Sequence, residues 1–462
     1  MNREKLAWTV SVLLIAVLAF QIPHGMAQRD NDYSFVRTLV DIHRQVSTNY
    51  VESVEESKLE AAAINGMLGQ LDPFSVYVPP AQQEEFDQLL EGNFKGVGIQ
   101  LNQRDDGKVE VVTPIDGSPA FKAGVQAGDV VLKVNGSSLE GLKLTPDILK
   151  KIKGDLGTEV TLTVLHEGAK DPVDLTMKRE EVVVPTIKGY SRKADNSWDY
   201  FVTDDPKIAY VRLTQFTPDS YEKLKGVMND VLKDGMKGLI FDLRWNPGGR
   251  LDEAVKIVDL FVKQGVIVST KGRNRPERIE RATGVGTLPK FPMVVLVNEH
   301  SASASEVVSG SLLDNHRAVV VGTRTFGKGS VQELIPLEGS NGELKLTVAY
   351  YYLPSGRLVH RKKDATDWGV EPMINVPMDD ATEKAVAQLR YDQELFRRPV
   401  PKVTTKPATT KSATTQPIDA QLKSAVDTLR MLLIFEANSG DWTPSAAVTK
   451  PATAPTTQPV IK

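Results

Sequence analysis

Three serines alternate with alanines in the segment NEHSASASE, which follows the apolar run PMVVLV and precedes a helical segment that begins near Ala304. A serine hydroxyl at a helix N-terminus is a candidate nucleophile, because the helix dipole and the unpaired N–H groups there stabilise a developing oxyanion. The same pattern also fits simple helix capping, since Ser303 is followed three residues later by Glu306, as in a capping box. This loop alone leaves both interpretations open.

A serine nucleophile needs a base, and two side chains are candidates. His300 lies on the same loop as the serines, and the chain contains no G-x-S-x-G elbow of the kind found in α/β-hydrolases. Lys328 lies between two glycines in GTRTFGKGS, directly after the apolar run AVVVG. An ammonium group that is desolvated on a loop between buried strands can lose its proton and accept one from serine. We therefore favour Lys328 as the base.

The segment from Gly322 to Lys328 also matches the start of a phosphate-binding loop, G-x-x-x-x-G-K. That motif requires Ser or Thr next, for magnesium, and this chain has Gly329. The following VQELIPL predicts a strand, where a nucleotide-binding loop requires a helix. We therefore reject nucleotide binding.

The loop RWNPGG offers a third chemical feature. Adjacent glycines, here Gly248 and Gly249, let backbone N–H groups approach a ligand closely, as an oxyanion hole requires. An ordinary strand-to-helix turn explains the same residues equally well.

The elements around these loops predict an α/β core. From Lys207 to Gly322, near-continuous apolar runs alternate with helical segments, a pattern typical of buried strands in layered α/β folds. All three loops follow such runs, and the C-terminal ends of strands in these sheets carry functional sites. Between Lys95 and Arg179, short alternating runs and turn dipeptides predict a compact β domain with two short helices. We expect amphipathic helices from Tyr33 to Leu71 and from Asp419 to Ala437.

Composition narrows the chemistry further. The 462 residues suggest about three domains. The chain has no cysteine, which excludes disulfides, a thiol nucleophile and thiolate zinc sites. A net charge of -3 argues against nucleic acid as a partner.

The N-terminus resembles an export signal. Arg3 and Lys5 precede an apolar run from Leu6 to Phe20, and small residues follow. We therefore interpret residues 1–27 as a signal peptide, with an uncleaved membrane anchor as the alternative. We expect an exported, periplasmic or cell-envelope protein.

Taken together, DLRWNPGG, NEHSASASE and GTRTFGKGSVQ resemble the three signature segments of the C-terminal processing peptidases, also called tail-specific proteases (family S41). Upstream, GMLGQLDPFSVYV and FKGVGIQL resemble the segment that leads into the PDZ domain of that family. The resemblance implies a multidomain α/β fold and a serine endopeptidase with a Ser-Lys dyad and no cofactor or metal. A binding or scaffold protein without catalysis, built on the same fold, is the alternative.

The resemblance also implies roles for particular residues. Ser303 would be the nucleophile, Lys328 the general base, and Gln332 the residue that orients the lysine amine. The implied oxyanion donors are backbone N–H groups, those of Ala304 and of either Gly248 or Gly249.

The segment Gly96, Val97, Gly98 and Ile99 resembles a PDZ carboxylate-binding loop, which implies protein substrates with exposed C-terminal tails, paired by β-augmentation. The terminal helices resemble elements through which the family associates, so a homodimer is expected.

These interpretations divide the chain into six parts. We predict a signal peptide at 1–27, a helical region at 28–91, a PDZ domain at 92–182 and the protease core at 183–380. The C-terminal helices span 381–443 with a Thr/Pro-rich linker at 398–417, and a low-complexity tail follows at 444–462.

Overall fold

The computed structural model describes residues 34–338, 342–395 and 418–439. The predicted signal peptide, the linker at 398–417 and the tail at 444–462 lie outside the described residues. The chain divides into two compact units, Met1–Tyr77 with Leu344–Leu346, and Val78–Glu343 with Thr347–Lys462. Among the described helices, none has the length and apolar character needed to span a bilayer.

The described helices include every helical segment that the periodicity predicts. They are α1 Ser34–Asn49, α2 Glu56–Leu68, α3 Pro80–Glu91, α4 Pro119–Lys122, α5 Pro146–Ile152, α6 Ser220–Lys233, α7 Leu251–Phe261, α8 Ala304–Asp314, α9 Asp380–Glu394 and α10 Ala420–Ser439.

The described strands fall into three successive groups. The first group is β1 Val76–Val78, β2 Asn93–Gly96, β3 Ile99–Gln103, β4 Val109–Pro114, β5 Val130–Val134, β6 Ser137–Ser138, β7 Glu159–Leu165, β8 Val173–Lys178 and β9 Glu180–Val183. The second is β10 Ile187–Lys188, β11 Ser191–Arg192, β12 Trp198–Asp199, β13 Phe201–Asp204, β14 Lys207–Leu213 and β15 Gly238–Asp242. The third is β16 Val266–Gly272, β17 Arg275–Arg281, β18 Met293–Val297, β19 Val319–Gly322, β20 Ser330–Pro336, β21 Glu343–Tyr352 and β22 Ile374–Asn375.

The predicted PDZ domain is an antiparallel sheet with its own core. Its strand order is β3-β4-β5-β7-β8, with β6 beside β5, and β2 pairs separately with β9. The inward positions of these strands are apolar and fully buried, which explains the alternating sequence runs: Val109, Val111, Val131, Leu162 and Val164. In this strand order β3 lies at the edge of the sheet, with β4 as its neighbour.

A second sheet forms the predicted α/β core, in the order β10-β14-β15-β18-β19-β22 with β13 beside β14. Strands β14, β15, β18, β19 and β22 are parallel. One face packs on α6, α7 and α8, and the other packs on α10. Because both faces are covered, the strands read as continuous apolar runs rather than alternating ones. The predicted multidomain α/β fold is confirmed.

The sequence analysis predicts the strand VQELIPL, which is β20, but not the sheet that it joins, in which β16 pairs antiparallel with β17 and β21 and β20 lies beside β21. Strands β16 and β17 are rich in polar and charged residues, and β17 is mostly exposed, so they lack the apolar pattern that marks the core strands.

Candidate active site

Three loops meet at the C-terminal edge of the core sheet. They follow β15, β18 and β19, which are neighbouring parallel strands, so their ends lie side by side. The Ala302 N–H donates to the Asn246 carbonyl at 3.0 Å, and the Phe326 N–H donates to the Ser301 carbonyl at 3.1 Å. These bonds join the three signature segments into one site.

Ser303 lies at the N-cap of α8 with φ of 57° and ψ of -117°. A positive φ is unfavourable for a residue with a side chain, and strained backbone of this kind clusters at functional sites. Gly248 lies directly against it, since a Cβ atom at that position would come within 2.7 Å of the Ser303 Cβ and 2.9 Å of the Ala304 nitrogen. Only glycine therefore allows the RWNPGG loop to approach the serine this closely.

The carboxylate of Glu306 joins the serine loop to the lysine loop. Its Oε2 accepts the N–H groups of Ser303 and Lys328, both at 2.8 Å. Its Oε1 accepts the Thr325 hydroxyl at 2.6 Å and the Gly327 N–H at 2.7 Å. Burial raises the pKa of Glu306 to about 7, and the hydrogen bonds act in the opposite direction. One buried side chain thus fixes the backbone of both candidate dyad residues.

Tyr351 makes a second link between the two loops. Its hydroxyl donates to the Lys328 carbonyl, and it also forms a hydrogen bond with the Ser303 side chain. Burial raises the pKa of this hydroxyl well above its usual value, and the charge of Glu306 acts in the same direction. The hydroxyl therefore remains a neutral donor at physiological pH.

Gln332 lies on β20, close to the lysine loop. Its amide donates to the Ser330 hydroxyl at 2.8 Å and to the Ser330 carbonyl at 3.1 Å. Its expected part in orienting the lysine amine stays a prediction.

The two glycines after Pro247 lie in a loop that Asn246 orders. The Gly248 N–H donates to the Asn246 side-chain oxygen at 2.8 Å. The Asn246 amide in turn donates to the Leu213 carbonyl at 2.8 Å, which fixes its orientation. Both glycines have positive φ, 100° at Gly248 and 140° at Gly249, and a Cβ on Gly249 would overlap the Phe216 carbonyl oxygen. The loop geometry therefore requires glycine at both positions.

The residues Gly96, Val97, Gly98 and Ile99 form the turn between β2 and β3. The Gly98 carbonyl accepts the Ile115 N–H at 2.8 Å and the Ser118 hydroxyl at 3.1 Å. With φ of 77°, Gly98 packs so tightly on Ser118 that a Cβ would overlap it. The turn is closely packed and precedes the edge strand. Its carboxylate-binding role stays a prediction.

His300, the other candidate base, pairs with an acidic neighbour at the surface. Its side chain is 54% exposed and lies 3.8 Å from Glu299. With Glu383 these residues bring three potential metal-ligand atoms within 4.8 Å of one another. Glu383 already accepts the Asn298 amide at 2.7 Å. Exposed groups of this kind are common without an ion, and we assign no metal to them.

The sequence analysis missed two residues of this site. The sequence pattern predicts Glu306 only as a capping-box partner, although a carboxylate three residues after a candidate nucleophile is a usable signal for a wider role. Tyr351 had no such signal, because it reaches the site from β21 in the antiparallel sheet that was not predicted.

Comparisons with known protein families agree with this architecture. Residues 207–376 match the family described as peptidase family S41, and residues 110–165 match the PDZ domain. Residues 21–81 match the activating protease CtpB N-terminal domain.

Individual relatives are similar over most of their length. A carboxy-terminal-processing protease from Bartonella bacilliformis is 40% identical over 364 residues, covering 77% of this chain and 80% of its own. The carboxy-terminal processing protease CtpA from Bacillus subtilis is 32% identical over 340 residues, covering 73% of this chain and 68% of its own. The solved photosystem II D1 C-terminal processing protease is 26% identical with a TM-score of 0.40, covering 73% and 92% of the two chains. The chain therefore belongs to the carboxy-terminal processing proteases of peptidase family S41.

Proposed function

We propose that this protease hydrolyses peptide bonds with Ser303 as the nucleophile and Lys328 as the general base. The observation that carries the proposal is that one Glu306 oxygen accepts the N–H groups of both residues, each at 2.8 Å. This bridge keeps the two backbones adjacent.

In the proposed reaction the Lys328 amine takes the proton of the Ser303 hydroxyl as the serine oxygen bonds to the scissile carbonyl carbon. The C–N bond of the tetrahedral intermediate then breaks, and the lysine ammonium protonates the leaving amine. Water hydrolyses the acyl-serine by the same proton transfers in reverse. The role of Gln332 would be to orient the amine between these steps.

For the oxyanion we propose the N–H groups of Ala304 and Gly249. Ala304 is the first residue of α8, where N–H groups have no partner within the helix. Gly249 is favoured over Gly248 because the Gly248 N–H already donates to Asn246.

Substrate capture is proposed for the PDZ domain. The turn Gly96, Val97, Gly98 and Ile99 would hold the carboxylate of a substrate's C-terminal tail through backbone N–H groups, and the free edge of β3 would pair with the tail. The substrates would then be proteins with exposed C-terminal tails.

We propose an exported, periplasmic or envelope location for the protein. The proposed limits of the PDZ domain are 92–182, and those of the core are 183–380.

We also propose that two chains associate through their terminal helices. On α10, Met431 and Ile434 are 53% and 61% exposed although the opposite face is buried against the core. Changing Ile434 to lysine should lower the mass measured by light scattering, and an unchanged dimer mass would count against this helix as the interface.

The dyad is tested with purified Ser303→Ala and Lys328→Ala chains on an unfolded protein with an apolar C-terminus. Both should be inert, whereas His300→Ala, which removes the rejected base, should cleave normally. Full activity in either dyad variant would overturn the assignment. A chain that binds C-terminal peptides but is not labelled at Ser303 by a fluorophosphonate probe would instead support the scaffold alternative.

A further inference from the structure

The guanidinium of Arg244, the first residue of the RWNPGG segment, is fully buried. Arg244 donates to the Asp242 carboxylate from Nη2 at 2.7 Å and from Nε at 3.1 Å. On its other side it donates to the Asp419 carboxylate from Nη1 at 2.9 Å and from Nη2 at 3.0 Å. Paired contacts of this kind fix the orientation of a guanidinium as well as neutralise it.

The cluster is balanced in charge. Arg390 donates to the same Asp419 carboxylate at 3.3 Å, so two cations face two anions. Burial acts to raise the pKa of Asp242 and of Asp419, but the Arg244 charge holds both below their ordinary values. Both carboxylates are therefore ionised at neutral pH.

Asp419 belongs to the C-terminal helix rather than to the core. It caps α10, since its Oδ1 accepts the Leu422 N–H at 2.9 Å. Along the sequence, α10 is connected to α9 by residues 395–419, which include the Thr/Pro-rich linker 398–417. The position of Asp419 therefore depends on the packing of α10 against the core sheet, where Leu422, Ala425 and Leu429 are buried.

Arg244 is in turn connected to the candidate oxyanion donors through a short backbone path. The next residue, Trp245, has φ of 57°, and its N–H donates to the Asn298 side chain at 3.0 Å. Asn246 follows, and its side-chain oxygen accepts the Gly248 N–H. A shift of the guanidinium would displace these residues, because a strained backbone keeps its conformation only while its surroundings fix it.

We propose that Asp419 is a positioning residue, through which the C-terminal helix holds the RWNPGG loop in the geometry that stabilises the oxyanion. This inference rests on the proposed roles of Ser303 and Gly249. Without the Asp419 charge, two buried guanidiniums would face a single carboxylate, which is strongly unfavourable. Arg244 and the loop would then move. Interactions made only in the transition state would weaken while tail binding persists, so kcat would fall with little change in KM.

The test uses three variants of the full chain: Asp419→Asn, Asp419→Glu and the control Asp427→Asn. Asp427 lies on the same helix, in an exposed pair with Lys423 at 2.7 Å. The substrate is a fluorogenic peptide with a free C-terminal carboxylate. We expect kcat of Asp419→Asn to fall at least tenfold with KM within twofold of wild type. Asp419→Glu should recover part of the loss, and the control should match wild type.

A peptidyl boronate separates positioning from simple stability, because its tetrahedral serine adduct places an oxygen at the oxyanion donors. Its Ki should rise in Asp419→Asn by the factor that kcat/KM falls. Wild-type kcat and Ki in a folded Asp419→Asn chain, with Ser303→Ala inert, would overturn this inference alone. Activity in Ser303→Ala would instead overturn the proposed dyad.

Gln421→Ala provides a milder variant if Asp419→Asn does not fold. The Gln421 side-chain oxygen accepts Arg244 Nη1 at 3.2 Å, and its loss leaves every charge of the cluster in place. We expect a stable chain with a several-fold lower kcat. Unchanged kcat and boronate Ki in this variant would also contradict the proposal.

Discussion

Replacing Glu306 with glutamine tests whether one carboxylate organises the active site. The ionised side chain accepts four hydrogen bonds, two on each oxygen. An amide offers one acceptor oxygen and turns the other position into a donor, so two bonds are lost and donors face donors. Hydrogen bonds to a charged group contribute about 1.5–3 kcal/mol each, so the loss is about 3–6 kcal/mol. If half of this free energy is lost from transition-state stabilisation because the two loops are misplaced, kcat falls roughly 10- to 150-fold.

The pH dependence of stability and of activity provides a second test of the role of Glu306. Because the pKa of Glu306 is about 7 in the folded chain and 4.5 for an ordinary glutamate, the folded state holds the proton more tightly. The stability that this proton contributes is complete below pH 4.5 and is lost as the pH rises through about 7. It amounts to about 3 kcal/mol. Activity should change in the opposite sense, rising through pH 7, because only the ionised carboxylate accepts all four bonds.

The assay is kcat on a fluorogenic tail peptide from pH 5.5 to 9, with urea unfolding at each pH. Glu306→Gln should behave at every pH like the wild type at low pH, with low kcat and no step near 7. Glu253→Gln serves as the matched control, since Glu253 is also a buried helix carboxylate and accepts the Tyr221 N–H at 2.8 Å. Wild-type kcat with an unchanged pH profile in Glu306→Gln would refute the reasoning.

Three further substitutions test other parts of the site. Tyr351→Phe removes the hydroxyl that links the two dyad loops and should lower kcat about 5- to 30-fold, the equivalent of about 1–2 kcal/mol; equal kcat values would assign this tyrosine to packing alone. Gly249→Ala should lower kcat more than a hundredfold in a chain with native circular dichroism, because the new Cβ overlaps the Phe216 carbonyl. Normal turnover would rule out a catalytic role for this loop. Gly98→Ala should weaken tail-peptide binding in fluorescence anisotropy at least tenfold, because its Cβ overlaps Ser118, while cleavage of a peptide lacking a free carboxylate is retained. Unchanged anisotropy would exclude the turn as the carboxylate site.

Much of the core could be predicted because its signals are local. Continuous apolar runs identified the parallel strands, and glycine-rich or serine-rich segments at their ends identified the three loops. The alternation of polar and apolar residues did the same for the β domain. These patterns arise because residues close in sequence are buried together, so the spacing of apolar residues in the sequence reveals them.

The remaining features depend on partners that are distant in sequence. Asp419 pairs with Arg244 across 175 positions, and nothing local distinguishes it from any other helix N-cap. Tyr351 reaches the site from β21. The sheet that contains β21 was not predicted, because its strands β16 and β17 are rich in polar residues. The proposal of Gly249 rather than Gly248 as an oxyanion donor likewise depends on a side chain, Asn246, whose orientation only the folded loop reveals.

In the proposed capture of substrate tails, the edge of β3 would set how long a tail stays bound. The strand has five residues, of which alternate ones direct their N–H and C=O groups outward. About four such bonds, at about 0.5–1.5 kcal/mol each, stabilise a paired tail by roughly 2–6 kcal/mol. Even with a carboxylate contact this corresponds to roughly millimolar to micromolar affinity, so a tail would leave many times per second. Under the proposed mechanism, such brief binding would allow each tail to pass onward to the cleavage loops, and it would favour many different chain ends over one tightly held partner.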